Sequence, residues 1–82
     1  MITAMWIIRQ AKDTQGRSRP ETLRTFNDVT DIPRKGDILE FKGYEVGQQT
    51  VTHVVWEESP VGDGFHEVTV YTRDTEIRDY EY

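Results

Sequence analysis

The densest run of potential chemistry in this 82-residue chain is cationic. Arg9, Lys12, Arg17, Arg19 and Arg24 fall within a short N-terminal stretch and face only Asp13 and Glu21 there. Guanidinium forks suit planar, bidentate recognition of phosphate or carboxylate, and Gly16 would let the loop between them fold over a ligand. Trp6 or Trp56 could add a stacking face for a base, so the pattern reads as a candidate site for a nucleotide-type ligand. The plain alternative is a solvated hairpin tip.

A second candidate surface is acidic. Glu67, Asp74, Glu76 and Asp79, with Glu57, Glu58, Asp63 and Glu81 around them, would present phosphate-like charge to a basic host protein. Tyr71, Tyr80 and Tyr82 are the kind of aromatic anchor that interfaces use. An ordinary solvated face is the alternative here too.

Covalent and metal chemistry find little support. The chain has no cysteine, and its serines, Ser18 and Ser59, fall in expected loops without a nucleophile-elbow motif. His53 and His66 fall on expected strands, and no H-x-H or H-x-x-x-H spacing pre-forms a metal site with Glu57, Asp63 or Glu67. Gly62-Asp63-Gly64 lacks the rest of any phosphate-binding glycine loop. Among so many carboxylates, proximity by chance explains any close pair. No catalytic residue, metal ligand or cofactor is therefore assigned, and the expectation is a protein that is not an enzyme.

The bulk properties frame those surfaces. Only 35% of residues are hydrophobic and no cysteine or zinc array staples the fold, so a thin core and self-association are expected. The net charge of −5 argues against general nucleic-acid binding. Charge is also polarised. Residues 1–42 hold eight Lys/Arg against six acids, whereas residues 43–82 hold two Arg against nine acids. The apolar start, Met1 to Ile8, lacks a basic leader and a cleavage site, and no run reaches membrane-span length. With no cysteine, a cytoplasmic location is expected, the host's if the protein is phage-encoded.

Five stretches read as strands. Ile2 to Gln10 is apolar on both faces, with Ile2, Ala4, Trp6 and Ile8 on one and Met5 and Ile7 on the other. Such a strand is either central or half of an interface. Residues 11–20 read as an Arg-rich loop, and Thr22 to Val29 as the return strand of a long hairpin. A one-turn helix over residues 18–26 is the alternative, because Ser18-Arg19-Pro20-Glu21 fits a capping box. Pro33 and Gly36 mark a turn that feeds Ile38 to Phe41, and Tyr44 to Val46 begins a return with a bend at Gly47. In Gln49 to Glu57, Thr50, Thr52, Val54 and Trp56 should oppose Val51, His53 and Val55. Phe65 to Arg73 should set His66, Val68, Val70 and Thr72 against Glu67, Thr69, Tyr71 and Arg73. The acidic tail, residues 74–82, adds an edge strand or frays. The expectation is one domain over residues 1–82, mostly β. It would be a small SH3-like, partly open antiparallel barrel or curled sheet of about five strands.

The run Leu23-x-x-Phe26-x-x-Val29-x-x-Ile32-Pro33-Arg34-Lys35-Gly36-Asp37-Ile38-Leu39, then Val51-x-x-Val54-x-Trp56 and Val68-x-Val70, resembles small, largely uncharacterised β-barrel proteins of bacteriophages and bacteria. They share an I-P-R-x-G-D entry into a strand. The resemblance spans about residues 22–71 and reports a turn and a core. It implies a phage accessory or anti-defence protein that sequesters a nucleotide signal or inhibits a host protein; with the missing catalytic motifs and the thin core, the expectation is a non-enzymatic binding protein acting as a homo-oligomer. A structural or assembly component of a phage particle is the alternative, and a small hydrolase the third.

Overall fold

The computed structural model describes residues 2–12, 15–42 and 46–76, with the backbone alone for residues 11 and 12. The β-branched and aromatic stretches form five strands: β1 (Ile2–Lys12), β2 (Ser18–Val29), β3 (Ile38–Leu39), β4 (Gln49–Glu58) and β5 (Phe65–Asp74). They make one sheet in the order β2-β1-β5-β4-β3, curled into an open half-barrel. The small, mostly-β open barrel expected from the strand pattern is what the chain forms.

Pairing direction adds what alternation does not encode. Three of the four pairings are antiparallel, but β1 and β5 run parallel, Ala4 beside Glu67 through Arg9 beside Thr72. A parallel pair needs a long crossover, and β2, β3 and β4 supply it. β1 is thus a central strand, flanked by β2 and β5.

The concave face carries the core. Ile7, Val51, Val68 and Val70 are almost wholly buried, joined by Met5 and Leu23; Ile2, which alternation groups with Ala4, Trp6 and Ile8, is also buried and joins the same cluster from the start of β1. Burying each branched side chain contributes about 1.5–3 kcal/mol. Leu39 of β3 and Val54 of β4, with Ile32, Phe41 and Val46 from the connecting segments, pack against this cluster.

The register shifts at three places, one of them between Glu57 and Glu58 at the far end of β4, and the other two re-aim side chains toward the core. In β2, Ile7 faces Arg24 and Ile8 faces Thr22, so Leu23 is the extra residue and turns inward. In β4, Val51 faces Thr72 and His53 faces Tyr71, leaving Thr52 as the extra residue. Alternation therefore breaks at Thr52, and Val51 and Val54 both reach the core. The expected opposition of Val51 to Val54 does not hold. A V-x-x-V spacing across a bulge replaces V-x-V along a regular strand.

Other boundaries shift. The Arg-rich loop is shorter than residues 11–20, because β1 extends to Lys12 and β2 begins at Ser18. Arg19 and Pro20 are strand residues paired with Ala11 and Gln10, and no helical turn forms over 18–26. Backbone pairing with β1 outweighs the local capping signal there. The strand expected over Ile38 to Phe41 pairs only at Ile38–Leu39, and Val46 lies outside any strand. Tyr44 and residues 77–82 of the acidic tail lie outside the described residues.

The Pro-Gly turn forms as read. Asp37 N donates to the Arg34 carbonyl (3.0 Å) and Gly36 takes φ 95°, which a side chain would strain. Arg34 N donates to Asp37 Oδ2 (2.8 Å), tying the turn from its other side. Gly36 N and the Asp37 carbonyl then pair with the Val51 backbone, docking the turn on β4 and starting β3.

Candidate functional site

The open side of the half-barrel leaves two clefts on the concave face. The larger, of about 630 Å³, lies between the β1–β2 hairpin and the segment leading through β3. Met5, Ile7 and Phe26 form one wall, and Ile38, Leu39 and Phe41 the other. Its polar rim is acidic: Asp31, Asp37 and Glu40. A smaller cleft of about 450 Å³ lies beyond it, lined by Val54, Trp56, Thr30 and Arg34. Both share Asp31, Ile32 and Pro33, so an Ile32-Pro33 ridge divides one depression from the other.

Strand register sets the two aromatic residues at the mouths. Phe26 lies level with Met5, Met5 with Val68, and Val68 with Trp56. These four occupy one row across the sheet, with Phe26 and Trp56 three strand spacings apart, about 14 Å. Phe26 is 42% and Trp56 47% exposed, although both point to the side that carries the core. The larger cleft is mainly apolar and the smaller, with Thr30, Asp31 and Arg34, mainly polar, so the pair favours a ligand that combines apolar anchors with polar groups.

Arg24 closes one corner of the larger cleft. Its guanidinium stands 5.9 Å from the Phe41 ring centroid and donates to the carbonyls of Leu23 (3.1 Å) and Lys42 (3.2 Å). This contact links edge strand β2 to the chain beyond β3, across the gap that no ladder bridges.

The residues expected to bind a nucleotide are dispersed. Arg9 forms a bidentate pair with Asp74 (Nε–Oδ1 3.0 Å, Nη2–Oδ2 3.1 Å) and also reaches Glu21 (3.5 Å). Arg24 holds the β2 corner just described. Arg17 lies exposed in the hairpin loop and Arg19 exposed on β2; Lys12 ends β1. Trp6 lies on the opposite sheet face, six residues of strand (about 20 Å) from Lys12, and Trp56 lies level with Met5 on β4. The structure brings neither tryptophan to the loop.

The acidic candidates divide as well. Asp74 belongs to the Arg9 pair, so residues assigned to two separate surfaces meet inside one network. Gln49, wholly buried, donates from Nε2 to Asp74 Oδ1 (2.8 Å) and to the Gly47 carbonyl (3.2 Å). Thr72 Oγ1 lies 3.1 Å from both Gln49 Oε1 and the Ile8 carbonyl, which share its one hydroxyl proton. Asp74 is consequently held below the ordinary carboxylate range, first by the Arg9 hydrogen bond and then by Gln49, while Arg9 is raised chiefly by Asp74. Glu67 and Tyr71 lie on the convex face, and Glu76 is exposed beyond β5. Asp79, Tyr80 and Tyr82 lie outside the described residues.

The histidines do not converge. His53 faces Tyr71, whereas His66 lies five residues (about 16 Å) back along β5, where its Nε2 is 3.5 Å from Asp63 Oδ1. Among the described residues, no group of three His, Asp or Glu is placed to hold a metal ion. No helix there is long and apolar enough to cross a membrane. No family model, curated protein or solved structure matches this chain.

Sequence reasoning missed the clefts because their walls come from segments far apart in the chain. The available signal was Phe26, an aromatic on a strand whose neighbours Thr25, Asn27 and Asp28 are polar.

Proposed function

We propose that this protein is a non-enzymatic binding protein that captures a basic, apolar-anchored segment of a partner protein in its concave clefts and so inhibits that partner. One observation carries the reading: Phe26 and Trp56 stand exposed in a single row, Phe26 at an apolar cleft rimmed by Asp31, Asp37 and Glu40, and Trp56 at a smaller, more polar cleft that shares Asp31. Aromatic anchors dominate binding energy at interfaces, and an acidic rim on a chain of net charge −5 steers a basic partner. The separation of about 14 Å is spanned by about four residues of extended chain. The fitting ligand therefore has bulky apolar side chains at i and i+4 with Lys or Arg between them. The setting proposed for such inhibition, phage anti-defence, comes from the resemblance of the strand-entry motif to small phage proteins alone.

Fluorescence polarisation with labelled peptides of that pattern tests the reading. Binding should exceed that of the same peptides with Glu in place of Lys, and Phe26→Ala and Trp56→Ala should each weaken it about tenfold. Equal binding of both charge types, or unchanged affinity in both variants, rejects the cleft. Calorimetry with nucleotides and cyclic nucleotides is the control. Binding there that is lost in Arg17→Ala and Arg19→Ala would move the function to the hairpin tip.

A further inference from the structure

The smaller of the two clefts differs from the larger in carrying a cation. Arg34 lines it together with Thr30, Asp31 and Trp56. Arg9, Arg17, Arg19, Arg24 and Arg73 are all engaged by other groups, whereas the exposed Arg34 guanidinium makes no hydrogen bond or ion pair among the described residues, Asp31 included. Its backbone, by contrast, is fixed from both sides. Ile32 packs against the core two residues earlier, and two residues later Gly36 N donates to the Val51 carbonyl (2.8 Å) on β4, the strand that carries Trp56. Arg34 closes the turn between them with its own N–H and carbonyl. An unpaired guanidinium therefore shares one cleft with an indole that is 47% exposed.

We infer that the smaller cleft receives the C-terminal residue of the captured segment, with Arg34 on its α-carboxylate and Trp56 on its side chain. The inference rests on the proposed capture of a peptide segment and adds the direction of the bound chain and the nature of its end. A guanidinium fork matches the two oxygens of a carboxylate, and the Thr30 hydroxyl is a further donor in the same cleft. Charge decides how the anion arrives. The chain has a net charge of −5, Asp31 lies in the same cleft, and Asp37 and Glu40 lie beyond the ridge, so a small anion by itself is repelled. A carboxylate carried at the end of a basic segment escapes that repulsion, because the Lys or Arg of the segment meets Asp31 at the ridge as the carboxylate meets Arg34. The row from Phe26 to Trp56 then sets the register. The C-terminal apolar residue lies on Trp56 and the anchor four positions earlier on Phe26, and the rest of the segment leaves past the larger cleft.

Fluorescence polarisation on the full chain tests this, with N-terminally labelled peptides that carry apolar residues at i and i+4, lysine between them, and i+4 as the last residue. Wild type should bind the peptide with a C-terminal carboxylate about fivefold more tightly than the same peptide with a C-terminal amide. Adding two glycines after the last anchor moves the carboxylate away and should cost as much as the amide. Arg34→Ala should abolish the difference by weakening the acid and leaving the amide unchanged, and Arg34→Glu should invert it. The turn is tied through the Arg34 backbone, so both variants should keep the far-ultraviolet circular dichroism of wild type. Equal binding of acid and amide by wild type, or a preference for the acid that persists in Arg34→Ala, overturns the terminal site and leaves the capture of an internal segment standing. Failure of every such peptide to bind rejects the capture reading and the terminal site together.

Discussion

Gln49 shows how one side chain can organise a corner of the fold. Wholly buried, it uses its amide nitrogen on Asp74 and Gly47 and its oxygen on Thr72, so no part of the amide is wasted. Gln49→Leu would leave Thr72 with only the Ile8 carbonyl and remove a donor from Asp74. The expected cost is about 2–3 kcal/mol, read as a lower urea midpoint with an unchanged slope. Asp74 titrates with a definite sign. Its native carboxyl is held below the ordinary value, so the unfolded chain binds the proton first as pH falls. The Arg9–Asp74 contribution is complete above the unfolded value of about 3.9 and disappears as pH drops through the lowered native value. Because Asp74 is mostly exposed, that contribution is about 1 kcal/mol or less. Urea titrations of Asp74→Asn should give lower stability at neutral pH and a shallower decline below about pH 4. An unchanged acid profile would show that the pair contributes nothing.

Elements differ in how far the residues announced them. β5 was legible almost residue by residue, because Val68, Val70 and Thr72 alternate into the core without interruption. β4 was legible as a strand but not in its facing, since a bulge at Thr52 has no sequence signature distinct from an ordinary Thr. Val51→Ala and Val54→Ala should therefore both destabilise, the first by about 2 kcal/mol and the second by less because it is only partly covered. A strand without the bulge would make one of them nearly silent. The Pro33–Gly36 turn was readable because only glycine takes φ 95° cheaply. Nothing lies within 4 Å of a Cβ built on Gly36, so Gly36→Ala should cost only the conformational strain, about 1–2 kcal/mol by thermal or urea unfolding. The candidate site was the least legible. Its cationic and acidic residues were visible as types, but Arg9 and Asp74, distant in sequence, are spent on each other.

At the scale of the molecule, the concave side sets exposed Phe26 and Trp56 beside the carboxylates of Asp31, Asp37 and Glu40, the arrangement on which the proposed capture of a basic segment rests. Affinity of the cleft peptide should fall steeply between low and physiological salt, chiefly through a slower association rate in stopped-flow mixing. A salt-independent association rate would leave the acidic rim without a steering role. The parallel pairing of β1 with β5 has a further consequence, in time rather than in space. Ile2–Lys12 is made first, yet one of its edges finds no partner until Phe65–Asp74 has been made. Contacts so distant in the chain carry the loop-closure cost before any reward, so refolding should take milliseconds to seconds rather than microseconds. During synthesis, one edge of the strand that is apolar on both faces stands open until β5 emerges, and that interval is when a chaperone or an aggregate competes for it.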